Sequence, residues 1–163
     1  MHGYATAGWE NFFVAEAGAA AALTGLLFVA VSINLSKILS LPQLPGRAGE
    51  SLVILMGVLA TASFGLVPGQ SREVLGAELL AIGVLAWGYP IRIQIRGRVA
   101  SAPRRWMVAR VVAHQIATLP MVAAGATLLI GAGGGLYWLI GGTILSFVAA
   151  IVNAWVLLIE IQR

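Results

Sequence analysis

The sequence predicts an all-α fold, a polytopic transmembrane bundle of five helices, and three observations carry that reading. Five apolar runs, roughly 12–35, 52–67, 74–91, 107–130 and 136–159, fill almost all of the 163 residues. Each approaches or exceeds the ~20 residues that a helix needs to cross ~30 Å of hydrocarbon. The composition agrees: 60% of the residues are hydrophobic, 10% are charged and the mean hydropathy is +0.93. The basic residues then divide unevenly between the two faces. Lys37, Arg47, Arg92, Arg96, Arg98, Arg104, Arg105, Arg110 and Arg163 share one side, and Arg72 alone lies on the other. The positive-inside rule places the N-terminus outside and the C-terminus in the cytoplasm, in a bacterial inner (plasma) membrane.

Each element has its own punctuation. Met1–Trp9 carries no Lys or Arg, and the first run continues past the length of a signal core, so it reads as a retained helix. Pro42, Pro45 and Gly46 break the chain after it. Pro68 and Gly69 end the second run. Ser71 caps the third, with Glu73 favourably placed in its first turn. Ser101 and Pro103 suit the start of the fourth. The charge-free turn Gly131–Gly135 makes the fourth and fifth helices antiparallel neighbours. Tyr137 and Trp138 follow at the outer interface, where amphipathic rings settle, and Trp9 and Trp106 serve similarly on the outer and inner sides. What remains is too short for a folded soluble unit, so residues 1–163 form a single integral membrane domain. No internal repeat is visible, and an odd number of spans argues against a full inverted repeat.

Composition excludes several chemistries. With no cysteine, disulfides, thiolate catalysis and Cys-based metal sites are ruled out. His2 and His114 are the only histidines and form no ligand spacing with the six Glu, so no metal and no cofactor is expected. The net charge of +4 comes from residues flanking spans, which points to topology and anionic headgroups rather than nucleic acid. Arg92, Arg96, Arg98, Arg104 and Arg105 are the headgroup candidates. They lie either on a basic extension of the third helix or on an interfacial stretch where Ile91, Ile93 and Ile95 alternate with polar residues.

Small residues at helical spacing mark where membrane helices approach closely. Gly57, Thr61 and Gly65 form such a stripe in the second span; Gly18, Ala22 and Gly25 form another in the first, continuing to Ser32 and Ser36. Either stripe serves intrachain packing or a subunit interface, and a homo-oligomer joined through span one or two is expected.

Polar residues at depth are costly and each needs a partner, water or a function. His114 and Thr118 share a face of span four, roughly 10 Å inside the cytoplasmic boundary at ~1.5 Å per residue. Span five presents Ser146, Ala150, Asn153, Leu157 and Glu160 along one seam, with Asn153 at the depth of His114. Pro120 permits a kink just beyond His114. His114 is therefore either a titrating or solute-contacting group, or a neutral imidazole bonded to Asn153 or a backbone carbonyl. On the outer side, Glu16 and Glu78 lie inside apolar runs, and with Glu10 and Glu73 they would ring an acidic mouth. The alternative leaves Glu10 and Glu73 hydrated and pairs Glu16 or Glu78 with Arg72.

The stretch Trp9–Leu35, above all Ala19–Leu35, together with Leu66–Leu80, resembles a family of small actinobacterial membrane proteins. Some of its members are described as modulators of a membrane-anchored AAA protease. That resemblance implies a membrane-protein partner and brings no catalytic residues with it. The tryptophan-proline signature of the five-span translocator family is absent. No Ser–His–acid grouping is readable, and His114 and Glu16 fall in opposite leaflets, so the chain is not expected to be an enzyme. The expected function is a small homo-oligomeric channel or small-solute or ion carrier. The alternative is a non-catalytic accessory or regulatory membrane subunit, one that binds lipid.

Overall fold

The computed structural model describes residues 2–42, 44–96 and 104–162, and every regular element in them is helical. After one 3₁₀ turn at His2–Tyr4 come α1 (Glu10–Ile33), α2 (Leu35–Ser40), α3 (Leu44–Gly65), α4 (Arg72–Arg96), α5 (Arg104–Ile130) and α6 (Tyr137–Gln162). Five of them, over 10–33, 44–65, 72–92, 107–130 and 137–159, are long and apolar enough to cross a membrane.

The first apolar run is longer than its helix. Asn34 interrupts it: its side-chain Nδ2 donates to the Ala30 carbonyl at 2.9 Å, local bonding of the kind that competes with the helical ladder. The chain restarts as α2, which buries Ile38 and leaves Lys37 exposed. The second helix is the larger correction. It begins at Leu44 rather than near residue 52, because Pro45 falls in the first turn, where a missing N–H costs nothing. Arg47 and Glu50, assigned to a loop by hydropathy, are thereby helical.

α3 is the central post. It packs against α1, α4 and α6, and it buries Ile54, Leu55, Val58, Thr61 and Ala62. Its small-residue stripe is spent inside the chain. A Cβ on Gly57 would lie 3.2 Å from that of Ala86 in α4, and one on Gly65 would lie 2.6 Å from the Phe13 ring in α1. The stripe of α1 differs: Gly18, Ala22, Gly25, Ser32 and Ser36 are all exposed.

The closest pair, α4 and α5, meets through Gly76 and Gly83 of α4, which periodicity did not single out, and Gly125 of α5, which continues the face of His114 and Thr118. A Cβ on Gly83 would stand 2.8 Å from the Val122 nitrogen, and one on Gly76 would stand 3.1 Å from the Leu129 nitrogen; Gly125 abuts Leu80 from the other side. Backbone thus meets backbone, as small residues permit in lipid. The Ser71 hydroxyl caps α4 by accepting the Val74 N–H at 3.3 Å. The helix continues through Pro90 to Arg96, so Arg92 lies on an extension of it.

Gly131, Gly133, Gly134 and Gly135 all have positive φ, which lets the α5–α6 turn close with both helices antiparallel. The N-terminus folds back over it. The Leu136 N–H donates to the Gly3 carbonyl at 2.7 Å, and the Gly134 N–H donates to the Tyr4 hydroxyl at 2.9 Å. Trp9 meets Tyr137 with ring centroids 5.2 Å apart. Beneath this cap, Phe13, Leu75, Leu79, Leu128, Leu136 and Leu139 form one buried cluster. The glycine-turn end of the bundle is therefore closed. Arg47, Arg92, Arg105 and Arg110 lie at the opposite, basic end.

Candidate functional site

α5 and α6 are held together near the turn and separate toward the basic end. Gly142 sits against Pro120, where a Cβ would lie 3.1 Å from that of the proline. One turn further, the Ser146 hydroxyl donates to the Ala117 carbonyl at 3.2 Å. Below that bond the helices part around a cavity of about 400 Å³ floored by α3. Ala113 and Ile116 of α5 and Val148 and Val152 of α6 form its apolar walls; Glu50, Arg110, His114 and Asn153 supply its polar groups, and Arg47 stands among its lining residues.

Glu50 and Arg110 face each other across α3 and α5. Arg110 Nε donates to Glu50 Oε2 at 2.8 Å, and Arg110 Nη2 lies 2.8 Å from Oε1. Oε2 thus takes the hydrogen bond, while Oε1 has the ion-pair contact alone and is buried without a hydrogen-bond donor, so charge more than hydrogen bonding offsets the desolvation of this carboxylate. Sequence reasoning missed this pair. Its one available signal was positional: Glu50 is the sole acid between Glu16 and Glu73, on the side that collects the arginines.

His114 is buried, and its Nε2 lies 3.1 Å from the Trp87 carbonyl of α4. Its partner is therefore a backbone carbonyl on the preceding helix, not Asn153. A carbonyl can only accept, so Nε2 carries the hydrogen and donates. In the neutral ring Nδ1 is then a bare acceptor, and it is buried without a partner. Beside it, Trp87 Nε1 donates to Gln115 Oε1 at 2.6 Å, a second tie between α4 and α5. Thr118, fully buried, turns its hydroxyl back to the His114 carbonyl at 2.8 Å. Asn153 is half-buried and shares the cavity wall with His114.

The acidic residues at the other end are each held separately. Glu16 Oε1 receives the Thr143 hydroxyl of α6 at 3.2 Å. Glu78 accepts from the side-chain amide of Gln70, and Glu10 accepts the Gly8 N–H at 2.8 Å. Arg72 pairs with its neighbour Glu73 at 2.9 Å, not with Glu16 or Glu78. Thr143 extends the α6 seam by one turn, so the seam runs Thr143, Ser146, Ala150, Asn153 and Leu157. The side chain of Glu160 lies outside the described residues.

Among the headgroup candidates, Arg92 and Arg105 are exposed at the basic end. Arg98 lies outside the described residues, as do the side chains of Arg96, Arg104 and Trp106, and Ser101 with Pro103. A second, mostly apolar cavity of about 330 Å³ lies between α1 and α6, lined by Leu27, Val31, Leu55, Ala154 and Trp155 among others, with Asn34 its polar lining residue. Comparison of the chain with known protein families, with characterised proteins and with solved structures finds no match.

Proposed function

We propose that the chain is a small membrane carrier whose solute site is the α3/α5/α6 cavity, with the basic end in the cytoplasm. One observation carries the reading. Polar side chains from three helices converge on a cavity confined to one half of the bundle, while buried apolar side chains fill the other half. A channel needs a continuous wet path, whereas a carrier rests with its site open to one side only. Uneven helix contacts support this too: α6 is tied to α5 at the turn and at Ser146, and parts from it below. The exposed small residues of α1 supply a face on which a second copy packs. An accessory subunit is the second reading, and the apolar cavity beside α1 favours it.

Because the chain has no cysteine, a single introduced thiol reports access directly. Asn153→Cys and Ala132→Cys would be treated in oriented vesicles with a membrane-impermeant maleimide. The carrier reading expects Asn153→Cys to react faster from the cytoplasmic side and Ala132→Cys from the outside. Equal rates for Asn153→Cys from both sides, with steady conductance in a planar bilayer, would mark a channel. An Asn153→Cys thiol that is inert from the cytoplasm removes the carrier reading.

A further inference from the structure

We infer that the cavity takes a monoacylglycerol, a neutral single-chain lipid whose 1,2-diol head enters sideways from the adjoining leaflet between α5 and α6. The inference rests on the reading of the cavity as the solute site and names its class of ligand.

Unmet hydrogen bonds set the head. His114 is buried, its Nε2–H is committed to the Trp87 carbonyl, and its Nδ1 is a buried acceptor without a donor. Glu50 is buried too: its Oε2 receives Arg110 Nε, while Oε1 has the Arg110 ion pair and no hydrogen bond. Two residues bordering one cavity thus each hold an acceptor that lacks a donor. Buried polar atoms left this way are costly, so the ligand that fits them supplies donors. Arg110 relates the two in space, since it sits one turn, ~6 Å, from His114 along α5 and grips Glu50. Two hydroxyls on neighbouring carbons, each reaching its acceptor at ~2.8 Å, bridge such an interval. Asn153 is half-buried and makes no side-chain hydrogen bond among the described residues, so its amide is left to donate to an ester carbonyl.

The cations do not choose the head. Arg110 is held by Glu50 and Arg47 is engaged as well, so neither selects an anion. The mouth requires a neutral one. Ala113, Ile116, Val148 and Val152 border the cavity and are exposed on the outer surface of the bundle, where a bilayer puts hydrocarbon. A charged head crossing there would lose its hydration against alkyl groups, and a diol loses far less. Among the described residues no hydrogen bond joins α5 to α6 below Ser146, so dispersion alone holds the helices together there. They yield as the head enters, which uncovers both acceptors, and the chain stays along the valine wall. A cavity of about 400 Å³ admits one head and the start of one chain.

The test uses full-length protein in phosphatidylcholine nanodiscs, with binding read by native mass spectrometry. Monooleoylglycerol should be retained at one per protomer, roughly tenfold more tightly than its dimethyl ether, which keeps the chain and the ester and loses both donors. Val152→Trp, a substitution at an exposed position on the mouth, should abolish retention without unfolding the bundle. His114→Leu should shrink the preference for the diol over the ether and leave retention of the ether unchanged. Equal retention of diol and ether, or retention insensitive to Val152→Trp, would reduce the effect to partition and overturn the proposal. Equal competition by free glycerol would assign the site to a water-soluble polyol, and equal retention of dioleoylglycerol, with its single hydroxyl, would remove the two-donor argument; either overturns it. If lipid retention fails while Asn153→Cys still reacts from the cytoplasm, the lipid is wrong and the carrier reading stands. If the lipid is retained and that thiol is inert, the site stands and the carrier reading fails.

Discussion

Replacing Arg110 with Met tests the ion pair at the base of the cavity. Met keeps most of the length and removes the guanidinium, so Glu50 is left where it was. The Glu50 side chain is only 2% exposed, against 22% for Arg110. The two partners are therefore unequal: water can reach the arginine but not the carboxylate. Removing one member of a buried pair costs about 3–5 kcal/mol, because the remaining charge is desolvated without compensation. For a chain of this size that corresponds to a fall in Tm of roughly 6–20 °C.

The companion variant Glu50→Leu/Arg110→Met separates the penalty from the worth of the pair. With both charges gone, stability should return to within about 1 kcal/mol of the parent or exceed it. Thermal unfolding in one mild detergent, followed by tryptophan fluorescence and circular dichroism, would measure all four corners of the cycle. Coupling of several kcal/mol is expected. If Arg110→Met alone costs under 1 kcal/mol, or if the double variant is as unstable as the sum of the singles, Glu50 is not a buried carboxylate that depends on Arg110.

Three further outcomes can be checked with simpler variants. Gly83→Leu should destabilise the protomer by about 1–3 kcal/mol or more, since its Cβ would meet the Val122 backbone at 2.8 Å; an unchanged melt would contradict the α4–α5 crossing. Gly57→Leu should likewise destabilise the protomer, whereas Gly18→Leu, with nothing within 4 Å, should leave the melt within about 0.5 kcal/mol and alter only self-association. Size-exclusion chromatography with light scattering reads the difference, and unaltered association in Gly18→Leu would discharge the α1 face as an interface. Reporter fusions at Gly46, Gly97 and Arg163 should register cytoplasm and one at Gly133 the exterior, and an exterior signal at Gly97 would reverse the orientation.

Hydropathy located all five long helices because burying twenty apolar side chains per span is a summed signal, insensitive to any single residue. It failed where one residue changes the outcome. Pro45 was read as a breaker, yet at a helix start it is tolerated, and that error hid Glu50 in a loop. Partner choice was also illegible. The sequence left His114 either Asn153 or a backbone carbonyl; it takes a carbonyl, but one on α4 that no residue pattern points to. The glycines of the α4–α5 crossing are seven and more residues apart, too sparse to stand out among twenty glycines. By contrast the α5–α6 turn and the Ser71 cap were readable, since both depend on contiguous residues alone.

The polar groups of α5 serve two different ends, and their division explains the shape of the cavity. Gln115 and the Nε2 side of His114 point to α4, where the glycine crossing already brings the backbones together. Those bonds are partly shielded from water by the helix packing, so breaking them leaves polar groups unpaired. α4 and α5 are consequently joined both by backbone contact and by hydrogen bonds. Among the described residues no hydrogen bond joins α6 to α5 below Ser146: Ala149, Val152 and Val156 line the cavity there and contribute dispersion but no direction, with Asn153 the polar side chain beside them. The opening between α5 and α6 thus follows from where hydrogen bonds stop, not from a gap in the apolar sequence. Nothing in the hydropathy of α6 changes at Ser146; only its partner across the interface does.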